Sequence, residues 1–125
     1  MADEFSGTWQ FCYWYPSNNH DGEDPSEYKM TAHQQDDELV LESLPNDSNA
    51  YMLVRLKFDG DLATGTWHET TSSTGEFKGM LYSGAGQLLV SKDKQSMTGK
   101  WAGVGLDRET NEAKIYSGRW EIKRA

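Results

Sequence analysis

Glu69 follows Trp67 by two residues, and residues two apart in an extended strand share one face of a sheet. It is the only carboxylate on the faces that the alternation of this chain assigns to an interior. A charge placed there costs free energy unless it is paired or reaches an open mouth. Its chemistry would be that of an acceptor orienting a small molecule, assisted by the hydroxyls of Tyr13, Tyr15, Tyr28 or Tyr116. The same carboxylate acting as a base would suit an isomerase or a cyclase, and at a fraying strand end it would simply be solvated. Trp67, Trp101 and Trp120 either stack on a ligand ring or fill space, whereas Trp9 is expected to be core filler.

Other chemistries find little footing. His20, His33 and His68 are too scattered to suggest a zinc site, and His33 and His68 read as outward. Asp21, Glu23 and Asp24 supply oxygen ligands, but their spacing is not that of a calcium loop. Cys12 has no activating partner in the sequence, and there is no nucleophile elbow, phosphate loop or dinucleotide fingerprint. No catalytic residue, no metal and no cofactor are expected.

The elements that must position these residues are announced by a repeated phrase. Four of the five tryptophans close the pattern hydroxyl residue, Gly, any residue, Trp: Ser6-Gly7-Thr8-Trp9, Thr64-Gly65-Thr66-Trp67, Thr98-Gly99-Lys100-Trp101 and Ser117-Gly118-Arg119-Trp120. Each Gly and its Trp share a face, and a missing side chain beside the largest one suits a strongly curved, closing sheet. Alternation predicts strands over 7–15, 27–33, 39–44, 51–58, 62–70, 77–82, 87–91, 97–105 and 114–123. Asp59-Gly60, the run Ser83-Gly84-Ala85-Gly86 and residues 45–49 read as turns, as do the polar reversals at 34–37 and 92–95. Residues 107–113 have room for one helical turn at most. Short connections imply a meander, and eight or nine strands in that order must curl and close to leave no long edge. The expectation is an all-β fold: one antiparallel up-and-down barrel domain over 1–125, with a long acidic first loop at 16–26.

The inner series begins Trp9, Phe11, Tyr13, Tyr15, then Tyr28, Met30, Ala32, and continues through Met52, Val54, Leu56 and Phe58. Gly65 and Trp67 follow, then Phe77, Gly79 and Leu81. Met97, Gly99, Trp101 and Gly103 come next, and Tyr116, Gly118, Trp120 and Ile122 end it. Strands 39–44 and 87–91 contain consecutive apolar residues, so their faces stay open. Cys12 and Trp14 fall outside, where an indole either caps a neighbouring loop or marks an interface.

At this point the chain resembles the calycins, the superfamily of lipocalins, fatty-acid-binding proteins and avidins. The resemblance rests on Gly7-Thr8-Trp9 at the start of the first strand of a meander barrel. It implies that Trp9 plugs the closed end, with Lys123 or Arg124 of the last strand packed over it in a cation–π contact. The later phrase Ala63-Thr64-Gly65-Thr66-Trp67 is closer to the avidins than to the lipocalins. Phe11 and Tyr13 stand where the avidins place small polar residues, so biotin binding is not implied. What the resemblance implies is a fold and a tendency to bind small molecules.

Length and charge set the remaining bounds. A chain of 125 residues suits one domain, and a net charge of −8 disfavours nucleic acid and anionic membranes as partners. There is no apolar stretch of membrane-spanning length and no signal-peptide pattern after Met1, and one cysteine cannot form an internal disulfide. A cytoplasmic setting is expected, for a whole protein or a domain of a longer one. The functional expectation is non-enzymatic binding of a small, partly aromatic or apolar molecule, lined by Tyr13, Tyr15, Tyr28, Trp67, Glu69, Trp101, Tyr116 and Trp120. The alternative is a filled barrel whose outer residues, among them Trp14, Val40, Leu53, Met80 and Leu89, serve protein interaction or homo-oligomerisation.

Overall fold

The computed structural model describes residues 4–16, 22–45, 50–70, 81–106 and 112–125. Among these residues there are eight strands: β1 (Gly7–Pro16), β2 (Glu23–Gln35), β3 (Glu38–Ser43), β4 (Tyr51–Asp59), β5 (Leu62–Thr70), β6 (Leu81–Val90), β7 (Ser96–Leu106) and β8 (Ala113–Arg124). Each pairs antiparallel with the next, and β8 returns to β1, so the sheet closes into a barrel. No helix among the described residues is long and apolar enough to cross a membrane.

The alternation sorts the side chains as period two requires. Trp9, Phe11, Met30, Met52, Val54, Leu56, Trp67, Met97, Trp101, Trp120 and Ile122 are all buried. The open faces are settled too: Leu39 and Leu41 point in from β3, and Leu88 and Val90 from β6, while Leu89 is exposed.

One expected turn is a strand. Ser83-Gly84-Ala85-Gly86 lies inside β6, paired to β5 through Trp67↔Gly84 and Gly65↔Gly86. On its other side it pairs to β7 through Gly84↔Gly103 and Gly86↔Trp101. The two strands expected at 77–82 and 87–91 therefore merge into one from residue 81, and its inward series from Tyr82 is Tyr82, Gly84, Gly86, Leu88, Val90. These glycines serve packing rather than reversal. A methyl built on Gly84 would lie 2.7 Å from Cζ2 of Trp67, and one on Gly86 would lie 2.6 Å from Cζ2 of Trp120. Gly103 and Gly118 likewise lie under Trp67 and Trp101. The indoles thus cover glycines of other strands than their own.

Positive φ occurs where the chain does reverse, at Gly60 (φ 62), Asp36 (φ 56) and Lys94 (φ 59). The first ladder also runs further than expected. Pro16 pairs with Glu23, so β2 begins four residues before the position read from the sequence. His20, Asp21, Phe77, Gly79 and Met80, and the expected helical turn up to residue 111, lie outside the described residues.

The two ends of the barrel differ. One carries the tight reversals at 36–37, 60–61 and 91–95, together with the Trp9 plug. Phe5 stacks on Phe58 at 4.7 Å and tilts against Trp9 at 6.2 Å. Arg124, not Lys123, lies over the Trp9 ring at 4.2 Å, and donates to Ser6 O at 3.0 Å and to Glu4 O. Lys123 points outward to Glu121. Strands β1, β3, β5 and β7 all finish at the opposite end.

The dependence on absent side chains is testable. A methyl at Gly103 would meet Cη2 of Trp67 and Ser83 O, each at 2.9 Å. Gly103→Ala is expected to cost about 1–3 kcal/mol in urea unfolding, with a changed near-ultraviolet tryptophan signal. An unchanged midpoint would show that the Trp67 ring has room to yield.

Candidate ligand site

Glu69 sits one inward step beyond Trp67, at the end of the barrel opposite Trp9. Its register partners are Met52 of β4 and Tyr82 of β6. It is only 5% exposed, which rules out the solvated strand end that the sequence left open. Strand β5 is four places from β1 in either direction around the eight, so its carboxylate meets groups from across the lumen. Tyr13 of β1 donates to Oε1 at 2.8 Å and to Oε2 at 2.9 Å, and Tyr28 of β2 donates to Oε2 at 2.6 Å. The carboxylate and two phenols thereby bridge the barrel across its width.

The electrostatics follow from burial. Desolvation raises the Glu69 carboxyl above its ordinary value, and the hydrogen bonds from Tyr28 and Tyr13 hold it partly down. Both phenols are pushed well up, first by burial and then by the adjacent carboxylate. Tyr13 and Tyr28 are thus neutral donors over the working pH range. Among the described residues, no lysine, arginine or histidine contributes to holding the Glu69 charge. The ion pairs Lys57–Asp37, Lys94–Glu4, Arg119–Glu23 and Lys123–Glu121 involve other carboxylates.

Below the bridge the indoles pack edge to face. Trp67 and Trp101 meet at 5.6 Å and 86°, Tyr13 and Trp101 at 5.9 Å and 88°, and Phe11 and Trp120 at 6.0 Å and 83°. Phe11, Tyr13, Met52, Trp67, Trp101 and Trp120 enclose a cavity of about 10 Å³. That is close to one water, and the lining offers it almost no polar partner. At this level the tryptophans act mainly as filler.

Three interior indoles donate to backbone carbonyls: Trp9 to Phe5 O at 2.8 Å, Trp101 to Trp14 O at 3.0 Å and Trp120 to Gln87 O at 3.0 Å. Nε1 of Trp67 is buried with no partner among the described residues. A buried donor left so costs about 1–3 kcal/mol. It shares a strand face with Glu69, two positions away, roughly 7 Å along the strand.

The mouth gathers more phenols than the sequence reading assigned. Tyr15, Tyr82 and Tyr116 pack partly buried against the core, joining Tyr13 and Tyr28. Tyr82 was missed because the Gly-rich run beside it reads as a turn; treating Gly84 and Gly86 as alternate inward positions would have placed it. The structure brings Tyr13, Tyr28 and Glu69 into direct contact and stacks Trp67, Trp101 and Trp120 beneath them, with Tyr15 and Tyr116 on the same interior side.

Outside, the β1–β8 ladder ends at Tyr13↔Trp120, while the β7–β8 ladder runs on to Leu106↔Ala113. Arg119 clamps the seam, lying 3.8 Å above the Trp14 ring and bonding Glu23 at 3.0 Å. The outward indole therefore covers a strand junction. Cys12 lies between Glu27 and Glu121 in register; burial first, then both carboxylates, push its thiol up. His33 and His68 are exposed, and among the described residues no three His, Cys, Asp or Glu side chains gather as a metal site.

The sequence matches no protein-family model and no curated protein. A closed meander of eight antiparallel strands is consistent with a calycin-like fold.

Because folding raises the Glu69 carboxyl, the folded state holds that proton more tightly than the unfolded chain does. Stability from this group is full below the ordinary carboxyl value and is lost as pH rises through it toward the folded value. Glu69→Gln imitates the protonated form, so at pH about 7 it should melt above the parent protein, the gap narrowing toward pH about 4. Thermal unfolding across that range measures it, and a gap that widens on acidification contradicts the burial account.

Proposed function

We propose that this barrel binds a small, partly aromatic or apolar molecule without transforming it, at the interior end opposite Trp9. The observation that carries the reading is the buried Glu69 carboxylate, held by Tyr13 and Tyr28 above a layer of indoles. Burial of this carboxylate carries a desolvation cost that its two phenol hydrogen bonds only partly offset. Convergent polar groups in an apolar wall are what small-molecule sites are made of. Glu69 orients the ligand and accepts from it, the Trp67 N–H supplies a donor, and Tyr15, Tyr116, Trp101 and Trp120 complete the wall.

The start at Gly7-Thr8-Trp9, with a guanidinium over the plug indole, supports a calycin relationship, of lipocalin or avidin type. Phe11 and Tyr13 separate it from a biotin binder. The ligand enters at the mouth, since the cavity beneath the bridge is too small for more than a water. Calorimetry or tryptophan fluorescence against a metabolite library tests the reading. Saturable quenching by at least one compound is expected, and a library that yields no binder counts against it.

A second reading, an interaction or oligomerisation module, draws on the outer face. Ile115 and Val104 are cross-strand partners and 79% and 55% exposed, beside the small residues Ala85, Ala102 and Ser117. A second copy docking there would appear as a concentration-dependent dimer in sedimentation. A strict monomer at high concentration removes that reading.

A further inference from the structure

Among the described residues, the charge of Glu69 has no basic counterpart. Its hydrogen-bond donors are two neutral phenols, and burial outweighs them in setting its proton affinity. Arg124, the basic residue turned in toward a core ring, is occupied at the far end by Trp9, Ser6 and Glu4. A buried ionised carboxylate without an ionic partner is a costly arrangement, and a positive ligand removes that cost on binding.

The surroundings favour the same sign. The phenol rings of Tyr13 and Tyr15 lie 5.8 Å apart, and Trp101 meets Tyr13 edge-on. Faces of such rings carry negative partial charge and attract cations within about 6 Å of their centres. At longer range, 20 acids against 12 bases give the molecule a field that gathers cations and repels anions. The carboxylate also has capacity to spare. One Tyr13 proton is shared between both oxygens, so Oε1 keeps lone pairs for an incoming N–H.

We propose that the ligand of this site is a small organic cation, a protonated amine on an apolar or aromatic skeleton, whose ammonium group docks on Glu69 among the mouth tyrosines. This rests on the small-molecule reading above and narrows it to one charge class. Neutral ligands would leave the carboxylate uncompensated, and carboxylic acids would add a second negative charge beside it.

The test uses matched probes differing in charge alone: benzylamine, benzyl alcohol and benzoate, with butylamine, butanol and butyrate as the aliphatic set, titrated by calorimetry near neutral pH. At least one ammonium compound should bind roughly tenfold or more tighter than its alcohol, with the carboxylates weakest. Glu69→Gln should remove the preference, bringing each ammonium compound and its alcohol to similar affinities. A readout independent of that variant is the Glu69 carboxyl titration followed by NMR in the parent protein, which a bound ammonium must move downward. Alcohols binding as well as the amines, carboxylates binding best, or an unmoved Glu69 titration would overturn the cation proposal and leave ligand binding standing. Library hits that are all neutral or anionic would do the same. No binding by any probe, together with an empty library screen, overturns both.

Discussion

The structure depends on large rings meeting bare backbone across neighbouring strands. Trp67 lies against Gly84 and Gly103, Trp120 against Gly86, and Trp101 against Gly118. A narrow eight-stranded barrel cannot hold these indoles if the strands beside them also project side chains beneath the rings. Deleting those side chains makes room for rings that lie over the neighbouring strands. The same glycines let strands curve tightly enough to close: methyls on Gly65 and Gly99 would drive into the backbone of β4 and β6. Ring packing and closure are therefore one constraint.

Above that layer the barrel changes character. The plug end is sealed by Trp9, Phe5 and Arg124 with backbone hydrogen bonds satisfied, as a stability element should be. The other end concentrates the features that cost stability: a buried carboxylate and an indole N–H without a partner among the described residues. Proteins tolerate such costs where function requires them, and the division between a satisfied end and an unsatisfied end supports placing the site at the mouth. The Tyr13–Glu69–Tyr28 bridge also fastens β5 to β1 and β2 across the lumen, making the site part of what holds opposite walls together.

Much of this was legible in the residues. Period-two alternation put Glu69 and the tryptophans on the inner face, and Gly60, Asp36 and Lys94 reversals fell where turn chemistry placed them. The misreading at residues 83–86 has a physical cause. Glycine is permitted both in turns and under large rings, and local sequence does not distinguish the two uses; the rings that need Gly84 and Gly86 come from Trp67 and Trp120, on other strands. Tyr82 was lost with that strand. Tyr13, Tyr15, Tyr28 and Tyr116 were all legible as candidate helpers of Glu69, yet which of them bond it was not, because Glu69 is separated from Tyr13 and Tyr28 by 56 and 41 positions in the chain.

By itself the sequence determined the strand alternation, the inner faces of most strands and the closing meander, since these follow from local geometry repeated along the chain; the faces of β3 and β6 were not among them. Only the tertiary structure decided which ring covers which glycine, that Arg124 rather than Lys123 caps Trp9, and that Glu69 is bridged by two phenols from the far wall. Those outcomes depend on strand register and on closure, which bring into contact residues that no local period relates.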